Sequence, residues 1–193
     1  MDTRNLTVVI KDGEVRVAQY GQWDGYPEGQ GMTIVEFLLG HRNVEFLRER
    51  LDHVRFAQKD EDLTEYSKLH GDSRDLPKEF DRDTAGGILQ HIIDSNYDML
   101  LPNAIKFAAD SLFCEWAYVV DLDLNALEVY KGFGQASVGE RFYDMQEEKG
   151  IYETHGTEYG AVRHVLTIPF KDLNTKTFTA DIQKVLHPNG EEE

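Results

Sequence analysis

Hydrophobic and polar residues alternate along the first part of the chain, between residues 5 and 20. Two stretches rich in β-branched residues lie on either side of Asp12-Gly13, and Val15 and Val17 fall on one face of the second stretch. A period of two is typical of a half-buried strand, and Asp-Gly between two such runs is a strong signal for a two-residue turn. The pattern therefore predicts a β-hairpin over residues 5–20.

In the segments that follow, apolar residues recur at every third or fourth position instead of every second position. Thr33, followed three residues later by Glu36, predicts a capping box at the start of a helix. A second predicted helix carries an apolar stripe along one face, at Val44, Leu47, Leu51 and Val54. The helices predicted in this way cover residues 33–39, 43–56, 84–97, 104–112 and 179–186. Residues 63–69 form either a short helix within a surface excursion or part of a mobile loop.

Alternation returns in the middle of the chain and again near its end. Residues 115–131 form two runs of strand-forming residues with a turn near 123–126, and residues 163–168 form another run that Pro169 ends. Because these strands come as hairpins and not singly between helices, the sheet should be antiparallel. We predict an α+β fold with four to six antiparallel strands, covered by helices on one face.

The stretch between residues 58 and 83 is polar and separates the predicted helices of the first half. It carries many charges and few apolar residues. We predict one domain over residues 1–193, in which this stretch is a charged surface excursion and residues 188–193 are a frayed acidic tail.

The net charge of the chain indicates which kinds of partner it can bind. The chain carries 36 Asp and Glu against 20 Lys and Arg, a formal net charge of −16. Affinity for a nucleic-acid backbone comes mainly from Lys and Arg that neutralise phosphates, so direct nucleic-acid binding is not expected. A basic protein surface is the favoured partner, because opposite charges steer association. The alternative is that the negative charge serves only to keep the protein in solution.

The cysteine content and the apolar runs bear on the cellular compartment. Cys114 is the only cysteine, so the chain forms neither an intramolecular disulfide nor a thiolate zinc cluster. No apolar run reaches the ~18 residues of a membrane span, and the first residues lack the apolar core of a signal peptide. We expect a cytoplasmic protein that does not enter a membrane, and a homo-oligomer is compatible with the sequence.

The chief candidate site is the glycine-rich loop at residues 21–31. Trp23 and Tyr26 offer stacking surfaces, and Asp24 offers an acid or a hydrogen-bond acceptor. The same residues have a structural interpretation, in which Asp24-Gly25 forms a turn and the following proline fixes the backbone. The loop lacks the Gly-Lys-Ser/Thr of a phosphate loop. The sequence leaves both interpretations open.

Other residues with catalytic or metal-binding potential are scattered along the chain. None of the seven histidines forms a close metal-binding array and no Gly-x-Ser-x-Gly elbow occurs, so we predict no metal and no cofactor. Asp121 and Asp123 share one face of a strand, but the second lies at a predicted turn, where aspartate is common. If the loop is catalytic, Asp24 is its acid–base, with His91 or His164 as a partner.

Two segments resemble parts of a known family. Residues 18–31 contain Trp-Asp-Gly-Tyr-Pro after an N-terminal hairpin, and residues 115–130 form a second hairpin that begins Glu-Trp-Ala-Tyr-Val-Val-Asp. Both segments resemble an uncharacterised family of small phage and bacterial proteins that shares this motif. The resemblance implies a phage or prophage setting and no defined reaction, and it does not extend to residues 40–112.

These observations favour an acidic, phage-encoded interaction protein that binds a host protein. Its acidic side chains would occupy a basic groove and so inhibit a nucleic-acid-handling or defence factor, with Tyr66 or Phe80 as aromatic anchors. The alternative is a small enzyme or a binding protein for a nucleotide-like ligand, with its site at the glycine-rich loop. For the first hypothesis the predicted binding acids are Asp60, Glu61, Asp62, Asp72 and Asp75.

Overall fold

A computed structural model describes residues 2–59, 61–71 and 76–190. Over these residues the strands are β1 (Asp2–Lys11), β2 (Glu14–Trp23), β3 (Val54–Phe56), β4 (Met99–Leu101), β5 (Trp116–Asp121), β6 (Ala126–Lys131), β7 (Tyr152–Thr154), β8 (Thr157–Tyr159) and β9 (Arg163–Pro169). The α-helices are α1 (Met32–Leu39), α2 (Asn43–Arg50), α3 (Leu63–His70), α4 (Ile88–Asp94), α5 (Tyr143–Lys149) and α6 (Phe178–Leu186). None of the helices described is long and apolar enough to cross a membrane.

A five-stranded sheet with the order β2-β1-β5-β6-β9 forms the centre of the fold. Three of its strand pairs are antiparallel, and the pair β1–β5 is parallel. The parallel pair joins the first strands of the two hairpins, and the long helical segment between them allows the crossover that a parallel pair needs. The α+β prediction is confirmed, with five strands in a mostly antiparallel sheet.

The first hairpin turns where the sequence predicts it. Asp12 and Gly13 have φ angles of 57° and 73°. Positive φ at both central positions defines a type I′ turn, whose twist matches that of the flanking strands. The strands on either side extend beyond the predicted range, to Asp2 and Trp23.

One face of the sheet packs against α1, α2, α4 and α6. Val9, Val17 and Tyr118 point into this layer and are fully buried. Ile34 of α1 and Ile92 of α4 are also fully buried against them. Burial of each such aliphatic side chain contributes about 1.5–3 kcal/mol, so this layer supplies much of the driving force for folding.

The other face of the sheet is also covered. Val8 and Val119 are fully buried there, beneath the short 3₁₀ helix Ile105–Ala109 and the segment that carries Phe142 and Ala161. Strands β1 and β5 are thus buried on both faces, which explains why each contains a continuous apolar run instead of strict alternation.

Three of the predicted helices differ from the structure by more than one residue or in their type. The helix predicted over 43–56 ends at Arg50, and Val54 begins a short strand that pairs in parallel with β4. The helix predicted over 104–112 is a 3₁₀ helix over Ile105–Ala109, and the Ala104 N–H that precedes it donates to the Ala18 carbonyl and ties the segment to the sheet. The helix predicted over 84–97 is a 3₁₀ turn followed by α4, in keeping with the weak helix propensity of Gly86-Gly87.

The predicted capping box at the start of α1 is wrong. The Thr33 hydroxyl donates to the Gly29 carbonyl at 3.2 Å, and no side chain caps the helix. The reason is that a π-helical turn over Pro27–Gly31 leads directly into α1, so the first amides of α1 already have backbone partners.

The two edges of the sheet carry different polar contacts. On the β2 edge, the Ala18 carbonyl accepts a hydrogen bond from Ala104, and the Gln22 N–H donates to the Arg82 carbonyl at 3.0 Å. On the β9 edge, the His164 N–H donates to a carboxylate oxygen of Glu140 at 3.1 Å. Backbone groups on both edges therefore have partners from outside the sheet.

A single carboxylate joins the tips of the two hairpins. The Asp123 carboxylate accepts hydrogen bonds from the Asp12 and Gly13 amides, both at 2.8 Å. These bonds from Gly13 and Asp12 lower the pKa of Asp123. The clamp fixes the parallel register of β1 and β5 at its outer end.

We expect Asp123→Ala to speed hydrogen exchange at the Asp12 and Gly13 amides by about tenfold, because the exposed turn loses its acceptor. Leu124→Ala, which changes an exposed side chain in the same turn, should leave both amides unchanged. Native-state exchange measured by NMR checks this, and equal protection in the two variants would contradict the clamp.

Candidate functional site

The glycine-rich loop is built around a buried asparagine of β1. Asn5 is fully buried, and its Nδ2 donates to the carbonyls of Thr3, Gly21 and Trp23 at 3.1–3.4 Å. Both backbone polar groups of Gly25 form hydrogen bonds. Its N–H donates to the Thr3 carbonyl, and its carbonyl accepts from the Tyr118 hydroxyl at 2.8 Å. This network fixes the path of the chain as it leaves β2.

Glycine is required in the loop because other backbone comes too close. A methyl group at Gly25 would lie 2.5 Å from the Thr3 carbonyl oxygen, and one at Gly29 would overlap the Asp24 carbonyl. The interior of the loop is therefore filled by its own backbone and by Asn5. The structural interpretation accounts for the glycines, whereas Trp23 and Asp24 need a separate explanation.

The outer side of the loop presents an exposed tryptophan between carboxylates. Trp23 is 40% exposed, and its Nε1 donates to an Asp83 carboxylate oxygen at 2.9 Å. Asp24 is exposed and adopts a left-handed backbone conformation with φ 53°, whereas Tyr26 is half-buried. Asp2 pairs with Trp23 across the first two strands and is also exposed. The loop thus displays an aromatic ring in a fixed position.

His91, one of the predicted partners of Asp24, instead lies in a buried polar cluster. Its Nε2 is 2.9 Å from an oxygen of Glu79, a residue that is fully buried. The other oxygen of Glu79 accepts from the Tyr66 hydroxyl at 2.6 Å and from Tyr97 at 3.4 Å. Burial opposes ionisation of Glu79, but the hydrogen bonds from His91 and Tyr66 outweigh burial and lower its pKa.

The same cluster attaches the charged excursion to the rest of the fold. His70 of α3 stacks on Tyr97 at 4.1 Å and lies 4.6 Å from Tyr66. Burial and the Glu79 hydrogen bond raise the pKa of Tyr66, which keeps its hydroxyl a donor. Tyr66 is therefore a buried anchor of the fold, and its predicted role as an exposed binding residue is wrong. Phe80 is half-buried.

The predicted binding acids that the structure describes make local contacts. Glu61 forms an ion pair with Arg55. Asp62 caps α3 by accepting from the Thr64 and Glu65 amides. The remaining predicted acids lie outside the described residues; they are Asp60, Asp72 and Asp75.

His164 lies at the other end of the sheet, in a polar depression on the second face. Its Nε2 is 2.8 Å from the Thr167 hydroxyl, and its ring packs edge-on against Tyr130. Beneath it, Arg141 donates to both oxygens of Glu128 at 2.7–2.8 Å and to Asp121 at 2.7 Å. Asp121 is bound to Arg141, and Asp123 lies in the turn after β5 and accepts from the Asp12 and Gly13 amides, so the two carboxylates do not form the pair on one strand face that a metal site would need.

The structure does not bring Asp24 and His164 together. Asp24 follows β2 and His164 belongs to β9, which are the opposite edges of the sheet. Strands lie about 4.8 Å apart, so four intervals separate the two edges by about 19 Å. His91 is engaged by Glu79. Among the described residues there is also no group of three His, Cys, Asp or Glu side chains that could hold a metal ion.

The structure contains a further cavity that the sequence does not predict. It has a volume of about 400 Å³ and lies beside the paired strands β3 and β4, where His53 and Asp98 form a pair at 2.8 Å and Tyr66 forms part of the wall. No sequence pattern indicates this cavity. Residues 54–56 continue the helical spacing of residues 43–56, and the parallel pair β3–β4 joins segments that are distant along the chain. His53 and Asp98 are largely exposed, and none of the described residues that line the cavity is a serine, threonine or cysteine.

In comparisons with known proteins, no protein-family model, no curated protein and no solved structure matches the chain.

We expect Glu79→Gln to lower the free energy of unfolding by about 1–3 kcal/mol, because the buried cluster loses a charge-assisted acceptor. Glu65→Gln, which changes an exposed glutamate of α3, should have little effect. Since the folded-state pKa of Glu79 is lowered, its stabilising contribution is present above the ordinary carboxylate pKa and is lost as the pH falls through the lowered value.

Urea denaturation between pH 3 and pH 8 checks the Glu79 prediction. The difference between the parent protein and Glu79→Gln should be present at about pH 5 and should narrow below about pH 4. A difference that widens on acidification would mean that Glu79 is buried as the neutral acid.

We expect Arg141→Met to cost about 3 kcal/mol of stability, because it leaves two buried carboxylates without their shared cation. Adding Glu128→Gln and Asp121→Asn to Arg141→Met should recover part of that loss, since the uncompensated charges are then removed. Thermal and urea unfolding measure the coupling when four proteins are compared: the parent protein, Arg141→Met, Glu128→Gln with Asp121→Asn, and the combination of all three changes. Additive losses would show that Arg141 acts through packing alone.

Proposed function

We propose that the protein binds a positively charged surface of a partner protein through the Trp23 surface, defined here as Asp2, Trp23, Asp24 and Asp83. The single observation that carries the proposal is the exposed indole of Trp23, which a hydrogen bond to Asp83 holds in place among carboxylates. Tryptophan is enriched among residues that dominate binding energy, and its ring also attracts Lys and Arg side chains.

Preorganisation favours binding at this surface. The Trp23 backbone is tied to Asn5 and its side chain to Asp83. Little conformational freedom is then left to lose when a partner covers the ring, so more of the contact energy appears as affinity. The filled interior of the loop also favours an interaction surface over a small-molecule pocket, because Gly25 and Gly29 leave no space for a ligand.

Charge gives the proposed partner its chemistry. The net charge of −16 steers a basic partner toward the molecule, and the carboxylates around Trp23 supply local complementarity. The resemblance of residues 18–31 to phage proteins supports a host protein as the partner, in the cytoplasm of the host cell. A nucleic-acid-handling or defence factor presents such a basic surface, and occupation of that surface would inhibit it.

The test uses the two tryptophans of the chain. Trp116 is buried, so a Trp116→Phe background leaves Trp23 as the only tryptophan and as a fluorescent reporter of its own surface. Proteins captured from host lysate would be identified, purified and titrated into this variant. A partner that binds the proposed surface should shift the emission of Trp23 and shield it from iodide quenching.

We expect Trp23→Ala to weaken binding of the captured partner by about 30-fold, as for a central binding residue. Asp24→Asn with Asp83→Asn should weaken binding mainly through a slower association at low salt. Phe133→Ala, which removes an equally exposed aromatic ring outside the Trp23 surface, is the matched control. If the control weakens binding as much as Trp23→Ala, or if neither has an effect, the assignment of the Trp23 surface fails.

A further inference from the structure

Three polar side chains form a row inside the helix-covered layer of the fold. Thr7 lies directly opposite Gln19 in the β1–β2 pair, and Asn5 precedes Thr7 by two residues on the same face of β1. Asn5 and Thr7 are fully buried, and Gln19 is 2% exposed. We call these three residues the polar row.

One oxygen of each side chain in the polar row has no hydrogen-bond partner among the described residues. These oxygens are Asn5 Oδ1, Thr7 Oγ1 and Gln19 Oε1. An unpaired polar group in the interior is costly, so nearly all such groups in folded proteins bond to protein or to ordered water. Three of them on one face of one strand pair indicate a partner that they share.

The orientation of the Asn5 amide is fixed by its nitrogen. Asn5 Nδ2 donates to the carbonyls of Thr3, Gly21 and Trp23. A flipped amide would place Oδ1 against these carbonyl oxygens, which would repel it because none of them can donate. Asn5 Oδ1 is therefore an acceptor that needs a donor from elsewhere.

The nearest described neighbours of the polar row do not satisfy these oxygens. The next cross-strand pair on the same face is Val9 with Val17, and both side chains are apolar and fully buried. On the β5 side, Thr7 lies beside Tyr118. The Tyr118 hydroxyl already donates to the Gly25 carbonyl, so its proton is not available to the row.

We propose that the polar row binds at least one ordered water molecule. The Thr7 hydroxyl donates to the water oxygen, and the water donates to Asn5 Oδ1 and Gln19 Oε1. Side chains directly opposite each other have Cβ atoms about 4.5–5.5 Å apart, and diagonal neighbours about 7–8 Å, so a water molecule bridges groups that the short Thr7 side chain does not reach. Buried waters make about three hydrogen bonds, which is the number that the row supplies.

Other partners satisfy the polar row less completely. A metal cation would use the three oxygens, but the Thr7 hydroxyl proton would still lack an acceptor. None of the three side chains is a carboxylate that would balance the buried charge of the ion. A direct bond from Thr7 to Gln19 would satisfy those two groups and leave Asn5 Oδ1 unpaired.

The bound water supports the base of the glycine-rich loop. Its bond to Asn5 Oδ1 holds the amide in the orientation in which Nδ2 reaches the carbonyls of the loop. The proposal does not depend on the Trp23 surface, because the polar row lies inside the fold and binds water whether or not a partner covers Trp23.

The experiment measures ¹⁷O magnetic relaxation dispersion of water, whose amplitude counts the water molecules that stay bound while the protein tumbles. We expect Thr7→Val combined with Gln19→Leu to lower the amplitude by the contribution of at least one water molecule. Thr175→Val combined with Gln183→Leu makes the same changes at exposed positions and should leave the amplitude unchanged. Thermal melts of both variants confirm that they fold.

A second measurement uses the parent protein and needs no variant. A bound water should give cross-peaks of opposite sign in NOESY and ROESY spectra to the aliphatic protons of Thr7 and Gln19, whereas proton exchange gives peaks of the same sign. These cross-peaks decide the matter if the polar-row variant does not fold. An unchanged amplitude in that variant when folded, an equal loss in the control, or no such cross-peaks would overturn the proposal.

Discussion

The parallel pairing of β1 with β5 is the constraint on which the rest of the fold depends. It places two hairpins side by side and buries their inner strands on both faces. More than a hundred residues join the paired strands, so the chain leaves the sheet at the end of β2 and returns to it at the start of β5. The buried Asn5 network fixes the first of these points, and the helices between them cover one face of the sheet on the way.

Several basic side chains of this acidic chain form bonds within the fold. Arg16, Arg48 and Arg50 donate to backbone carbonyls that end helices and loops. Arg141 is held by two buried carboxylates, and Lys11 is paired with Asp52. Basic side chains that form these internal bonds are less available to a partner, whereas Asp24 and Glu36 are exposed to solvent.

The parts of the fold that sequence could predict are the local ones. The turn at Asp12-Gly13 and the second hairpin are encoded by adjacent residues, so their prediction needed no long-range information. Val54 shows the limit of prediction from local sequence. Its place on an apolar stripe favours a helix, but it belongs to a strand because it pairs with β4. A partner that is distant along the chain decided its conformation.

The same limit applies to the candidate sites. Trp23 and Asp24 stand out because they belong to one short motif. The Glu79–His91 pair joins two elements whose approach depends on packing, and the Arg141–Glu128 pair joins a loop to a strand. Neither pair has a fixed spacing that a motif could capture. The approximate distance between Asp24 and His164 likewise follows only from the order of strands in the sheet.

The contacts at the sheet edges have a consequence for the behaviour of the protein at high concentration. An open edge is a template on which a second chain can add a strand, and this is a common route to aggregation. Here Ala104 and Arg82 occupy backbone groups of β2, while Glu140 occupies the His164 amide of β9 and Pro169 ends that strand without an N–H. The mutual repulsion of strongly acidic molecules adds to this protection. The contacts at Ala18, Gln22 and His164 thus remove some of the backbone groups on which a second chain would have to add its strand.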